Sequence, residues 1–230
     1  LAWAKARGVY VVLSTGRIVG EAAEFAREIA CEDKMVTAGG AAIATASDER
    51  ILESWAMPCE IGAQAVAAVQ DLPVRVMIYV GDKIYINPFS DRDFVQNYRV
   101  EGFHANKVVL DDIAGAIRAR GLDVTKVYAI GERADLDKAL ETIRLLPGIT
   151  ITSSGSDNFE VMPAGVTSKL SLPEEMVAIG DSDNDAAMLR AVGMPVAMGN
   201  ADPALKAVAK YVTADCDHDG VAQAVYHFFS

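Results

Sequence analysis

The sequence predicts an α/β protein: a doubly wound parallel sheet built from both ends of the chain, with a smaller α+β domain inserted between them. Three observations carry this. Val9 to Leu13 is a continuous, β-branched-rich apolar run, as expected of a strand buried on both faces of a parallel sheet. After Met162 short apolar runs alternate with helical stretches. Between them, from about Pro58 to Met162, hairpin signals and amphipathic helices form a meander of different character. The expected division is therefore 1–57 with 163–230 as a core, and 58–162 as an inserted domain.

The elements follow in order. Leu1 to Arg7 reads like the middle of a helix, and the chain opens without Met, so more chain is expected upstream. Gly20 to Cys31 is predicted helical, Met35 to Thr45 as short strands around Gly39-Gly40, and Ile51 to Met57 as another strand. In the insertion, Ile61 to Val69 is an amphipathic helix. Val74 to Val80 and Lys83 to Ile86 pair as a hairpin across Gly81-Asp82. Helices are expected over Phe94 to Gly102, Asp111 to Arg120 and Asp135 to Leu145, and strands at Lys126 to Ile130, Ile149 to Ser153 and Asn158 to Met162. The last part reads as strand Met176 to Ile179, helix Ala186 to Val192, strand Pro195 to Met198, helix Pro203 to Lys210, strand Tyr211 to Thr213 and helix Val221 to Phe229. Between Met162 and Met176 lie 13 residues that hold the ends of a parallel crossover but no helix. A segment of about 15 residues is expected to be missing between Lys169 and Leu170.

Composition narrows function. The 230 residues carry 32 Asp+Glu against 21 Lys+Arg, a formal net charge of -11 that repels nucleic acid and anionic membranes in the absence of a basic cluster. No apolar run approaches the ~18 residues of a membrane span, and nothing at the start reads as a signal peptide. Cys31, Cys59 and Cys216 are scattered, which fits a reducing cytoplasm better than a disulfide framework or a zinc site. A monomer or homodimer acting on a small molecule is expected.

Three motifs carry chemistry, each just beyond a predicted strand, where parallel sheets place their ligands. Gly180-Asp181-Ser182-Asp183-Asn184-Asp185 sets three carboxylates within five residues. Charges that close need a cation or protons between them, and hard oxygens on a short loop suit Mg²⁺. The spacing also resembles the start of an EF-hand, but the sixth position is Ala186 instead of Gly and the twelfth Val192 instead of Glu. An acidic turn capping the next helix is the plainer alternative. Ser14-Thr15-Gly16-Arg17 offers a hydroxyl and backbone N–H groups to phosphate, or simply caps a helix. Lys169 can meet phosphate as a point charge, or be a solvated surface lysine. Together, a hydroxyl, a lysine and paired carboxylates suit phosphoryl transfer.

These segments, with Met198-Gly199-Asn200-Ala201, stand in the order found in Cof-type phosphatases of the haloacid dehalogenase (HAD) superfamily, which the chain resembles over both flanks. The middle is similar in size and style to the α/β cap those enzymes insert into their Rossmann-like core. The resemblance implies a Mg²⁺-dependent phosphatase acting on a small phosphorylated metabolite, with sugar phosphates the leading class. It implies that Thr15 bonds the transferring phosphoryl group with Gly16 and Arg17 nearby, and that Lys169 neutralises the phosphate. It further implies that Asp181 binds the metal, Asp185 supports it and Asn184 orders the site near the substrate. The family's DxDGT motif, which supplies the aspartate nucleophile and the acid/base aspartate, is absent here and is expected upstream of Leu1. Gly39-Gly40 stands where the family carries Asn-Gly. A specialised phosphatase, for phosphoglycolate for example, a phosphomutase and a non-catalytic phosphometabolite binder are the alternatives.

Overall fold

A computed structural model describes residues 1–166 and 175–230, with every side chain except that of Val95. Along the chain, α1 (Ala2–Lys5) is followed by α2 (Val19–Glu28), β1 (Lys34–Thr37), β2 (Ala42–Thr45) and β3 (Ile51–Ser54). Next come α3 (Cys59–Ala67), the hairpin β4 (Arg75–Val80) and β5 (Lys83–Ile86), α4 (Pro88–Asn97), α5 (Glu101–Asn106) and β6 (Lys107–Val109). Then follow α6 (Ile113–Arg120), β7 (Lys126–Ile130), α7 (Arg133–Ile143), β8 (Ile149–Thr152) and β9 (Asn158–Pro163). The last part holds β10 (Val177–Gly180), α8 (Ala186–Ala191), β11 (Met194–Ala197), α9 (Pro203–Val208), β12 (Tyr211–Val212) and α10 (Gly220–Phe229).

The chain divides into two compact units, one of residues 1–11 and 165–230 and the other of residues 12–164. The first contains the parallel sheet that the alternating pattern predicts, with strand order β10-β11-β12 and helices as crossovers. Ala178, Leu189, Val192, Ala197 and Leu205 form its core. A parallel pair cannot be joined by a tight turn, so each connection must bury a helix face. α8 and α9 do this through Leu189 and Leu205, 1% and 3% exposed.

The second unit holds an antiparallel sheet, β1-β2-β3, and a six-stranded sheet ordered β6-β5-β4-β7-β9-β8. α2 lays Val19, Ala22, Ala23 and Ala26, spaced to share one helix face, against Met35 of β1 and Ala44 of β2. In the larger sheet, side chains alternate between faces. Val76, Ile78, Val127, Ala129, Phe159 and Val161 point into one apolar core, which α3, α6 and α7 close with Val66, Ile117 and Leu136. The other face carries Tyr79, Lys126, Tyr128 and Glu160, paired across strands as Tyr79 with Lys126 and Tyr128 with Glu160.

Residues 12–57 fall in the same compact unit as 58–164. Met57 and Val124 exchange backbone hydrogen bonds of 2.8 and 3.3 Å.

Three expectations are corrected. Val9–Leu13 is not a ladder strand buried on both faces: Tyr10 is 83% and Val12 46% exposed. An apolar run becomes a buried strand only where neighbours pair with it, and pairing here is confined to a bridge between Ser14 and Val36 among the described residues. The helix expected over 94–102 is two helices, broken at Tyr98, whose backbone is extended. α4 starts earlier, at Pro88, because Asn87 caps it by accepting from the Ser90 N–H and Pro occupies the first turn. β6, three residues long, was not expected at all. The segment suspected between Lys169 and Leu170 lies outside the described residues.

Candidate active site

Thr15, Gly16 and Arg17 lie together on one turn of the 12–164 unit. Backbone bonds fix it on both sides: Thr15 N–H donates to Val36 O (3.0 Å), Gly39 N–H to Thr15 O (3.0 Å) and Ala38 N–H to Arg17 O (2.7 Å). The Thr15 hydroxyl accepts from the Arg17 N–H at 3.3 Å. Lys126, on the polar face of the larger sheet, donates from Nζ to Gly16 O at 2.5 Å. The turn is therefore a rigid piece of backbone with a hydroxyl at its centre.

Arg17 directs its side chain to Tyr98, Glu21 and Phe25. Its guanidinium meets the Tyr98 hydroxyl, lies 3.3 Å from Glu21 Oε1 and sits over the Phe25 ring at 4.8 Å. Tyr98 donates to Glu21 Oε1 at 2.7 Å. Burial first, and then the negative Glu21, raise the Tyr98 hydroxyl above its ordinary range, so it stays protonated and can donate. Glu21 is 1% exposed, and its Oε2 is buried with no partner among the described residues. On the same face, burial and the charge of Glu160 push Tyr128 up to about 12.

The acidic loop belongs to the other unit and leaves the end of β10. Its shape is made locally. Asp185 Oδ2 accepts from the Asp181 N–H (2.9 Å) and the Ser182 N–H (3.2 Å), and with Ser182 completes a capping box. Gly180 is required there, since a Cβ would stand 2.5 Å from the Asp185 Cβ. Burial is the main cause raising the Asp185 carboxyl, with the Asp181 charge adding to it, while the two backbone bonds oppose the shift. Asn184 accepts from the Ser182 hydroxyl at 2.5 Å and so braces the loop from within.

Asp181 is different: it is exposed, and one oxygen, Oδ2, accepts from the Asn200 side-chain amide at 2.9 Å. Asn200 is itself held, its Oδ1 accepting from the Cys216 N–H at 3.3 Å. Among the described residues the other Asp181 oxygen makes no hydrogen bond, which leaves it available to a cation. No group of three or more His, Cys, Asp or Glu side chains is arranged around a metal among the described residues. A site built on Asp181 fits Mg²⁺, which takes one or two carboxylates and fills its shell with water and substrate oxygens. Lys169 lies outside the described residues.

Sequence reasoning thus named both loops but missed the residues that hold them. Asn200 stood in a quoted motif without a role, whereas Lys126, Glu160, Glu21 and Tyr98 gave no local signal.

The model of the haloacid dehalogenase-like hydrolase family matches residues 1–225. The chain belongs to that family. It is an enzyme of the phosphoric monoester hydrolase class, as the sequence suggested and as its phosphatase relatives support. It is 29% identical over 241 residues to the 5-amino-6-(5-phospho-D-ribitylamino)uracil phosphatase YcsE of Bacillus subtilis (strain 168), covering 98% of this chain and 84% of that protein. Its HAD fold is shared by a haloacid dehalogenase-like hydrolase from B. subtilis, with a TM-score of 0.81 at 21% identity over 98% of this chain and 90% of the other. It is shared too by the HAD subclass IIB sugar phosphatase BT4131, at TM-score 0.75 and 23% identity over 99% and 88% of the two chains.

Proposed function

We propose that this HAD-type phosphatase is a Mg²⁺-dependent cytoplasmic enzyme that releases inorganic phosphate from a small phosphorylated metabolite, with a sugar phosphate or a related polyol phosphate as the leading class. The observation that carries the metal dependence is Asp181: exposed, oriented by Asn200 through one oxygen, and unbonded at the other among the described residues. The relatives' action on phosphate esters supports the substrate class.

In this reading the core is formed from 1–57 and 163–230, and 58–162 is the cap that selects the substrate. Thr15 donates its hydroxyl to a phosphoryl oxygen, and the rigid turn keeps it in place. Lys169 balances phosphate charge. Asp181 holds Mg²⁺, which when bound supplies charge stabilisation for phosphoryl transfer. Asp185 and Asn184 preserve the loop shape that presents Asp181. The aspartate that attacks phosphorus to give an aspartyl-phosphate, and the one that moves protons to the leaving alcohol and from water, belong to the family motif that this sequence does not contain. Arg17 serves as a brace between Glu21 and Tyr98 instead of a direct phosphate ligand.

The test is a screen of the full-length protein against phosphorylated metabolites, with and without Mg²⁺. Phosphate release from a subset of esters that vanishes with chelator is the expected result; no release from any ester in Mg²⁺ would overturn the reading.

A further inference from the structure

A lysine buried to 2% exposure is costly, because its charge loses water and must be repaid by partners. Among the described residues Lys126 has two hydrogen-bond acceptors and two aromatic neighbours, Tyr79 and Tyr128. Its Nζ lies 3.3 Å from Glu160 Oε2, donates to Gly16 O at 2.5 Å and faces the Tyr79 ring at 4.6 Å from the centroid. Glu160 alone would neutralise it. The bond to Gly16 is a further contact, made to backbone 110 residues away.

That carbonyl belongs to the same peptide unit as the Arg17 N–H, and in a trans peptide the two point in opposite directions. The Gly16–Arg17 unit is therefore gripped at both ends, its carbonyl by Lys126 and its N–H by the Thr15 hydroxyl. The carbonyls on either side, of Thr15 and Arg17, are already taken by Gly39 and Ala38. Glycine preceding this peptide leaves the unit free to rotate unless something holds it. A rotated unit would carry its N–H away from Thr15 and release the hydroxyl to other rotamers.

We propose that Lys126 is a positioning residue: by holding the Gly16 carbonyl it fixes the Gly16–Arg17 peptide and, through the Arg17 N–H, the rotamer of the Thr15 hydroxyl. Glu160 is the counter-ion that keeps Lys126 charged and aimed. The catalytic part of this inference rests on the phosphatase reading above, since Thr15 matters only if it meets the phosphoryl group; the structural part does not.

The experiment has two arms. The first follows amide hydrogen exchange of Arg17 by NMR in wild type, Lys126→Met and the exposed-lysine control Lys138→Met. Loss of the charged hydrogen bond should speed Arg17 exchange by about tenfold or more in Lys126→Met only; unchanged protection would overturn the proposal whatever the enzyme does. The second is a double-mutant cycle on Mg²⁺-dependent hydrolysis of p-nitrophenyl phosphate by the full-length protein. Lys126→Met should lower kcat/KM by about 100-fold, as misplacement of a reacting group does. In a Thr15→Ala background the same change should do almost nothing, and Lys126→Arg should recover part of the loss. Fully additive losses would overturn the positioning role. If Lys126→Met does not fold, as a stranded Glu160 charge could cause, both arms are run between Glu160→Gln and Lys126→Met/Glu160→Gln, which removes the buried charge. A wild-type protein inactive on every ester, with Arg17 exchange responding as expected, sinks the phosphatase reading and leaves the positioning of the turn standing.

Discussion

The two candidate loops are built on opposite plans. The acidic loop of residues 180–185 makes most of its own shape: Asp185 and Ser182 cap their neighbours within five residues, while Met198 and Asn200 reach in from a distance. The Thr15–Arg17 turn makes little of its own shape. It is held by Val36, Ala38 and Gly39 from the adjacent β1 region and by Lys126 from a separate sheet. One loop can be read locally and broken locally; the other is only as firm as its distant supports.

The contrast can be broken most severely at the loops themselves. Asp181→Asn should reduce phosphate release to the level seen without Mg²⁺, measured as free phosphate against metal concentration; undiminished activity would remove the metal assignment. Lys169→Ala should lower turnover by about 100-fold or more, the scale for losing a group that stabilises transition-state charge. A neutral result would return Lys169 to the solvated-surface reading. Next comes the distant support of the acidic loop. Asn200→Ala leaves Asp181 in place but unoriented, so the Mg²⁺ concentration giving half-maximal activity should rise by about tenfold while saturated turnover changes far less.

Away from both loops, Asn87→Ala should cost about 1–2 kcal/mol of stability by removing the cap of α4, read as a lower denaturant midpoint with KM unchanged. The smallest effects are those of pH on stability. Asp48, Glu60, Asp112 and Asp215 are held below the ordinary carboxylate range, chiefly by hydrogen bonds from Thr45, Arg118, Gly115 and His218. Their contribution is present above the unfolded value near ~4 and fades as pH falls through their lowered values. Asp185 works the other way. Its raised carboxyl favours the folded state below the unfolded value, and that contribution is lost as pH rises through the folded one. Urea midpoints between acid and neutral pH, compared for wild type and Asp185→Asn, would separate the two trends.

Most of the fold was legible because the chain's patterns are local. The strand–helix alternation after residue 162, the Gly81-Asp82 hairpin and the apolar face of α2 each state their element within a few residues. Val9–Leu13 misled because composition reports a wish for burial and says nothing of which edges find partners. The helix over 94–102 differs because Asn87-Pro88 is itself a helix start and Tyr98 takes up extended backbone. At the site, Asp181, Asn184, Asp185 and Thr15 announced themselves through their neighbours in sequence. Lys126 and Glu160 did not, since each sits in an apolar strand pattern and acquires meaning only from the register that sets β7 beside β9.

The buried Lys126–Glu160 pair also bears on how such a protein can diverge. Replacing either partner alone strands a charge away from water, so the intermediate genotype is less fit than either end. Change at these two positions has to arrive together, or be preceded by a mutation elsewhere that admits water. The polar face of this sheet should therefore drift in steps, with 126 and 160 locked to each other.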